Sequence, residues 1–240
     1  MPFITDLSDP VFHPKKVVDA INSGEKGILI TKDPSQLHEI LMDSVKDKSL
    51  LDNILVEATI TGLGGTIWEP HVPDYEDAMG GIGALQVEGI KTVLRYDPII
   101  PEVNSSATAI NKVLQLASSL GIRQVTASVI DMYRHAAERI QAEGITLPFK
   151  NFTYERCNEL IQVFCVLAQR ANMETRICCE HGWSNGSFGC DWPELLFTKE
   201  ELLALPRSAA RQGCNCPKYR QLLTYADKCF HNCLYCYRKT

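Results

Sequence analysis

The sequence lacks the features that mark membrane and secreted proteins. No run of about 18 apolar residues occurs among its 240 residues, so a transmembrane helix is not expected. The first residues, MPFITDLSDP, show no basic stretch followed by an apolar one, as a secretory signal would. Internal repeats and low-complexity tracts are also absent from the sequence. These absences favour a cytoplasmic protein.

Positive charge is scarce as well. The chain has 24 lysines and arginines against 29 aspartates and glutamates, which gives a net charge of −5. Proteins that bind nucleic acids or anionic membranes usually carry a basic face, so the overall charge favours neither partner. With 45% hydrophobic and 22% charged residues, the composition is that of an ordinary globular chain that buries a large core.

Cysteine is missing from the first part of the chain and crowded near its end. None occurs before Cys157, and six of the ten lie between Cys190 and Cys236. Because the cytosol keeps thiols reduced, a disulfide framework is not expected, and metal binding becomes the favoured reason for this crowding. Cys157 and Cys165 stand among apolar neighbours in a helical stretch, so we expect them to be core residues.

Short apolar strands alternate with helical stretches along the chain. The predicted strands are 3–5, 27–31, 54–61, 91–96, 124–130, 174–178 and 222–225. The predicted helices are 14–23, 34–46, 74–88, 105–120 and 153–172. This alternation predicts an α/β fold with parallel strands joined by crossover helices. We expect a single domain over 1–240, a partial (β/α) TIM-like barrel of six to seven parallel strands, with an open doubly wound sheet as the alternative.

Polar residues follow strand after strand. The first strand is followed by Ser8 and Asp9, the second ends at Lys32, the third carries Thr59, and the fourth carries Arg95. In parallel α/β barrels the carboxyl ends of the strands form the binding site. The sequence therefore predicts a polar ligand at this end of the sheet. Each residue also has a structural reading: a turn at Ser8-Asp9, a solvated Lys32, and an Arg95–Asp97 salt bridge.

Three thiols follow the last predicted strand. Cys229, Cys233 and Cys236 have C-x3-C-x2-C spacing within the loop 229–237. Three thiolates in one short loop can hold three corners of a [4Fe–4S] cluster and leave the fourth iron open to a small molecule. The alternative is a zinc knuckle that uses a further cysteine or histidine. We expect His231, inside this loop, to be a surface residue rather than a hydrogen-bond donor to the cluster.

The loop Cys-Phe-His-Asn-Cys-Leu-Tyr-Cys-Tyr resembles the cluster loop of radical S-adenosylmethionine (SAM) enzymes, and is most similar to their spore photoproduct lyase-like branch. Further motifs of that branch resemble Ser8-Asp9-Pro10, Thr31-Lys32, Glu69-Pro70 and Pro98-Ile99-Ile100-Pro101. In the branch the cluster loop precedes these motifs, whereas here it follows them. The chain thus resembles a circularly permuted member, and a family of uncharacterised proteins (a domain of unknown function) has the same layout.

The resemblance implies a cofactor, partners and a reaction. It implies a [4Fe–4S] cluster that cleaves SAM to a 5′-deoxyadenosyl radical, in an enzyme of lyase or oxidoreductase type supplied by an electron donor such as flavodoxin or ferredoxin. The substrate is open between a nucleic acid lesion, a peptide and a small metabolite. The alternative from another class is a non-catalytic metal module, with structural zinc or an electron-transfer cluster. The residues implied as SAM contacts are Ser8, Asp9, Lys32, Thr59 and Arg95, and those implied in a relay or beside the adenine are Tyr235 and Tyr237.

A second group of cysteines lies in a loop-rich cap over residues 178–216. We expect Cys179, Cys190, Cys214 and Cys216 to hold an auxiliary [4Fe–4S] cluster, because four thiolates would close such a centre fully. Zinc at the same four ligands and a set of buried free thiols are the alternatives. Glu180, His181 and Asp191 adjoin these cysteines, where they could orient ligands or cap loops.

Overall fold

Seven parallel strands form one sheet in the computed structural model of the chain. The structure describes residues 1–146, 153–180, 182–183, 186–208 and 214–238. The strands are ordered β6-β5-β4-β3-β2-β1-β7, and neighbours pair in parallel throughout. The sheet does not close, because β6 and β7 are its two edges. This confirms the expected α/β class and is consistent with a partial TIM-like barrel.

The elements alternate along the chain as the sequence predicts. The strands are β1 (Phe3–Ile4), β2 (Gly27–Thr31), β3 (Ile54–Thr59), β4 (Lys91–Ile99), β5 (Gln124–Val129), β6 (Glu174–Ile177) and β7 (Arg220–Gln221). The helices are α1 (Pro14–Asn22), α2 (Pro34–Ser44), α3 (Tyr75–Val87), α4 (Ala107–Ser119), α5 (Arg134–Ala142), α6 (Tyr154–Arg170) and α7 (Lys199–Ala204). None of the described helices is both long and apolar enough to cross a bilayer.

Local sequence sets where the helices begin. Asp33 accepts a hydrogen bond from the amide of Gln36 at 2.9 Å, and Ser106 accepts one from Ala109 at 3.1 Å. Such caps satisfy amides that have no partner within the helix. Gly89 and Gly121 follow α3 and α4 with φ of 77° and 90°, a backbone that other residues rarely adopt.

Three elements differ from the sequence-based expectation, because β7 has other bounds and neither α5 nor the short α7 was predicted. The last strand is β7 at Arg220–Gln221, not 222–225, because Leu223 is buried by packing just after the strand ends. Helix α5 was not predicted. Only Ala136 and Ile140 of its nine residues are buried, so its sequence has little of the apolar periodicity that signals a helix.

The sheet has an apolar face toward the helices and a second face that is partly polar. On the second face, Ile4, Ile28, Leu55 and Val93 form an apolar row, covered by Trp192, Leu196, Phe197, Leu202 and Tyr219 from the later part of the chain. Strand register places Thr59, Arg95, Thr126 and Arg176 side by side on the same face, nearer the carboxyl ends. Since side chains alternate along a strand, this whole set points away from the helices.

Candidate metal centre at the carboxyl ends of the strands

The cysteine loop lies at the end of the sheet where the polar residues collect. It follows β7, which pairs in parallel with β1. The segment after β1 carries Ser8 and Asp9, so strand pairing alone brings that segment beside the loop. Ser8 Oγ donates a hydrogen bond to the carbonyl of Lys228, just before Cys229, at 3.3 Å.

The buried Asp9 carboxylate, in the segment after β1, ties the end of β2 to the loop. Its Oδ1 accepts from Thr31 Oγ1 at 2.9 Å, and its Oδ2 accepts from the amide of Lys32 at 2.7 Å. Oδ1 also accepts from the amide of Val11 at 3.2 Å, and Oδ2 lies 2.8 Å from His231 Nε2. Both oxygens are therefore engaged by the chain itself, and the geometry supports a role in positioning the loop.

His231 is buried, and the expectation of a surface position is wrong. Only 2% of the residue is exposed. Its Nδ1 lies 2.9 Å from the carbonyl of His71, and its Nε2 faces Asp9. Both partners only accept hydrogen bonds, so the ring donates from both nitrogens and is charged. Burial lowers the pKa of His231, but the hydrogen bond and charge of Asp9 outweigh this effect, so the pKa is raised.

A second buried network lies beside Cys233. Lys32 Nζ donates to Glu69 Oε1 at 2.7 Å and to the Tyr235 hydroxyl at 2.8 Å. The Tyr235 hydroxyl donates to the same Glu69 oxygen, and Thr61 Oγ1 donates to Glu69 Oε2 at 2.8 Å. Burial lowers the pKa of Lys32, but Glu69 and then Cys233 raise it more, so the pKa lies above its usual value. The lysine is thus a fixed positive charge next to one thiol of the loop.

The far end of the loop is held from α5 and from the turn after β1. Arg139 of α5 donates to the carbonyls of Leu234 and Arg238 at 3.2 Å, and to that of Cys236. The backbone of this end is therefore fixed by a single guanidinium that reaches three acceptors. From the other side, the Tyr237 hydroxyl donates to the carbonyl of Asp6 at 2.6 Å.

The three thiols of the loop lie farther apart than the ligands of a single metal ion. Cys233 is buried, and Cys229 and Cys236 are half-buried. Within the described part of the chain, three ligand atoms lie within 4.8 Å of one another only at Cys190, Asp191 and Cys216. Tetrahedral zinc would place its thiolates about 3.8 Å apart, given Zn–S bonds of about 2.3 Å. The loop thiols are thus spread too widely, as arranged, to share one such ion.

The donor set of the loop fits an iron–sulfur cluster. Thiolates are the ligands that these clusters use, and hydrogen bonds to sulfur tune them. Cys236 Sγ accepts from the amide of Arg238 at 3.5 Å. Burial raises the pKa of Cys233, which the Lys32 charge partly offsets. A thiol so placed gives up its proton when a metal centre binds.

Arg95 lies among three carboxylates on the partly polar face of the sheet, which points away from the helices and is called the inner face. It donates to Glu57 at 2.7 Å and Asp97 at 2.5 Å, and lies 3.5 Å from Asp191. One guanidinium cannot neutralise three acids, so a proton must be retained among them. Burial raises the pKa of Glu57 to about 8, Arg95 lowers it and Asp191 raises it. Thr59, the strand neighbour of Arg95, is buried on the same face.

The cap brings cysteines together at the opposite edge of the sheet. Cys190 Sγ lies 3.6 Å from Cys216 Sγ and 3.4 Å from an Asp191 oxygen. Cys214 contacts Cys216 through its side chain. Cys178, which follows β6, has its Sγ 3.8 Å from that of Cys179 and also interacts with Cys190. His181 lies outside the described residues.

Several side chains at these sites escaped the sequence analysis. Glu57 carried a readable signal, because a lone acid within the apolar strand ILVEAT needs a buried partner. Glu69 was noted only for its resemblance to a motif, and its part in the Lys32 network has no local signal. Arg139 had none either, since its acceptors are nearly a hundred residues away in the chain.

One protein family and several solved structures are similar to this chain. A family model described as Domain of unknown function (DUF1848) matches residues 8–238. No curated protein matches the sequence. Among solved structures, a domain of pyruvate-formate lyase-activating enzyme from Bacteroides vulgatus has a TM-score of 0.46 and 15% identity, over 72% of this chain and 96% of that one. SuiB from Streptococcus suis has a TM-score of 0.41 and 10% identity, over 73% and 49%. The CcCel6A catalytic domain has a TM-score of 0.43 and 11% identity, over 77% and 65%.

Proposed function

The chain belongs to the family Domain of unknown function (DUF1848), and on the geometry of its cysteine loop we propose that it is a radical SAM enzyme. Cys229, Cys233 and Cys236 would hold a [4Fe–4S] cluster through three of its irons. The carrying observation is that three thiols, spaced too widely for one ion, lie where buried networks from β1, β2 and the segment after β3 fix the loop. A bound cluster of this kind supplies one electron to the sulfonium of SAM, which releases a 5′-deoxyadenosyl radical.

The residues of the chain hold and shield such a centre. Lys32 places a positive charge beside Cys233, which offsets the negative charge of a thiolate-bound cluster. The amide of Arg238 donates to Cys236. Because Tyr235 is buried and bonded to Lys32 and Glu69, its hydroxyl fixes the lysine rather than moving freely. We assign Tyr237, whose hydroxyl bonds to the backbone of Asp6, to the same anchoring role.

The residues proposed to contact SAM fall into two groups, according to what their side chains already bind. Asp9 and Ser8 hold the loop, so their effect on SAM would be through the position of the cluster. Thr59 and Arg95 lie on the inner face near the carboxyl ends, where a ligand bound to the open iron would be reached. The substrate remains a nucleic acid lesion, a peptide or a small metabolite, and the net charge of −5 weighs against nucleic acid.

Anaerobic reconstitution tests the proposal. The reconstituted protein should contain iron and sulfide, and should release 5′-deoxyadenosine from SAM when dithionite is added. Replacing Cys233 with Ala should abolish this release, whereas Cys165→Ala, a half-buried cysteine of α6, should leave it unchanged. A reconstituted protein without iron, or one in which Cys233→Ala cleaves SAM as well as the wild type, would show the proposal to be wrong.

A further inference from the structure

The second group of cysteines has different partners in the sheet from those of the loop. Cys178 follows β6, the edge strand opposite β7. The carbonyl of Cys190 accepts a hydrogen bond from Thr126 Oγ1 of β5 at 2.7 Å. This group therefore contacts β5 and β6, while the cysteine loop is bound to the segments after β1 and β3 and to α5.

The spacing of the central thiols is that of ligands to one ion. Cys190 Sγ and Cys216 Sγ are 3.6 Å apart, and both lie with an Asp191 oxygen inside a 4.8 Å group. Tetrahedral zinc holds thiolates about 3.8 Å apart. The loop thiols of the same chain form no such close group. Cys178 and Cys214 lie outside the 4.8 Å group and reach it through their interactions with Cys190 and Cys216.

Cys178 links this group to the end of β6. It directly follows Ile177, the last residue of that strand, and its Sγ also lies 3.8 Å from Cys179 Sγ. Cys178 contacts Cys190, and Cys214 contacts Cys216. The four thiols of Cys178, Cys190, Cys216 and Cys214 thus form one continuous series of contacts.

Two further observations point to a missing ligand. The hydroxyl of Tyr219 and Oε1 of Glu57 are buried without a hydrogen-bond partner among the described residues. Tyr219 lies within electrostatic reach of Asp191, Cys216 and Cys190, and Glu57 within reach of Asp191 and Cys178. A metal-bound thiolate is a better acceptor for the tyrosine than a thiol. Gly189 is needed for the approach of Cys216, since a Cβ at Gly189 would lie 2.4 Å from Cys216 Sγ.

The guanidinium of Arg95 faces this group and also pairs with three carboxylates, among which a proton is retained. Zinc with four thiolates carries a net charge of about −2. Arg95 lies within electrostatic reach of Cys178 and Cys190, so its guanidinium opposes that charge. Such a buried anionic centre is disfavoured without a nearby cation.

We propose that Cys178, Cys190, Cys214 and Cys216 bind one Zn²⁺, which fastens the cap to the inner face of the sheet. The segment between Cys190 and Cys216 contains Trp192, Phe197 and Leu202, which cover the apolar row of the sheet. The ion joins both ends of this segment to β6 through Cys178. Its role is structural, because four protein ligands leave no open position.

Metal analysis separates this site from the cluster site. In a variant with Cys229, Cys233 and Cys236 all replaced by Ala, we expect about one zinc per chain and no iron. Adding Cys190→Ser and Cys216→Ser should remove the zinc, whereas adding Cys165→Ser should not. Iron retained in the loop variant after reconstitution, no zinc after exposure to Zn²⁺, or zinc that survives Cys190→Ser with Cys216→Ser would each overturn the proposal. Each of these results is independent of whether the loop cleaves SAM.

Two finer measurements test the ligand set in chains that keep their fold. Cys178→Ser should weaken zinc retention against a chelator at least tenfold, whereas its neighbour Cys179→Ser should retain zinc like the wild type. Equal effects of the two would refute the assignment of Cys178. If the Cys190 and Cys216 variants fail to fold, Co²⁺ added to the metal-free loop variant supplies the readout. Thiolate-to-cobalt absorption supports the site, and its absence contradicts it.

Discussion

Replacing Asp9 with Ala should show how strongly the cysteine loop depends on one buried carboxylate. The carboxylate accepts from the amides of Val11 and Lys32, from the hydroxyl of Thr31, and from the His231 ring. The substitution removes the partner that raises the pKa of the buried imidazole, so the ring gives up a proton and one ring nitrogen loses its hydrogen bond. It also leaves buried donors of two strand ends without an acceptor.

The size of the effect follows from the burial of the pair. Removing one partner of a buried ion pair costs about 3–5 kcal/mol, and here the buried groups that bonded to Asp9 also lose their acceptor. For a chain of this length, each kcal/mol lowers the melting temperature by about 2–4 °C, so a drop of roughly 6–20 °C is expected. Asp33→Ala is the matched control, since the Asp33 carboxylate likewise accepts a backbone hydrogen bond, at the start of α2, but is not bonded to the loop. It should cost about 1 kcal/mol.

Urea unfolding followed by tryptophan fluorescence gives both free energies, and a double-mutant cycle with His231→Ala isolates the pair. The cycle should yield a coupling energy of about 1–3 kcal/mol, because the two residues are in direct contact. Hydrogen exchange should show faster exchange of the amides of residues 229–238 in Asp9→Ala. If Asp9→Ala costs no more than Asp33→Ala, or if the coupling is near zero, the carboxylate does not anchor the loop.

Two other predictions concern the acids around Arg95 and the clamp from α5. Glu57 keeps its proton up to about pH 8 in the folded protein, whereas the unfolded chain releases it near pH 4.5. The free energy of unfolding should therefore fall as the pH rises between these values. Glu57→Gln should flatten this slope in urea titrations. If the pH dependence of the free energy of unfolding is unchanged in Glu57→Gln, the retained proton is not on Glu57. Arg139→Ala should cost about 1.5–3 kcal/mol and speed amide exchange at residues 234–238, and Arg139→Lys should not restore protection, since lysine lacks the guanidinium fork. Full protection in Arg139→Lys would contradict this reading of the clamp.

Local sequence predicted the sheet better than the sites on it. The alternation of apolar strands and helices predicted that β2 to β5 are parallel and joined by helices, because the pattern of each strand or helix lies within about a dozen residues. The polar residues that end these strands also indicated the end of the sheet at which the cysteine loop lies. Helix α5 was missed because only two of its residues are buried, and with it Arg139, which holds the cysteine loop.

The corrections at the sites come from contacts between distant parts of the chain. His231 looked like a surface residue, yet it is buried because Asp9 and the carbonyl of His71, both far away in sequence, meet its two nitrogens. The sequence also does not show that the side chain of Cys178 interacts with that of Cys190, because this contact depends on how the cap packs against the end of β6.

The chain by itself determined the α/β class, the end of the sheet that carries polar groups, and the three-thiol loop with its spacing. These depend on periodicity and on residues a few positions apart, which local sterics and burial control. Only the tertiary structure decided that β7 joins β1, that Asp9 and His231 form a buried pair, and that Cys190 and Cys216 meet 3.6 Å apart. Such pairs are set by the packing of the whole sheet and cap, because residues far apart in sequence become neighbours only when the chain folds.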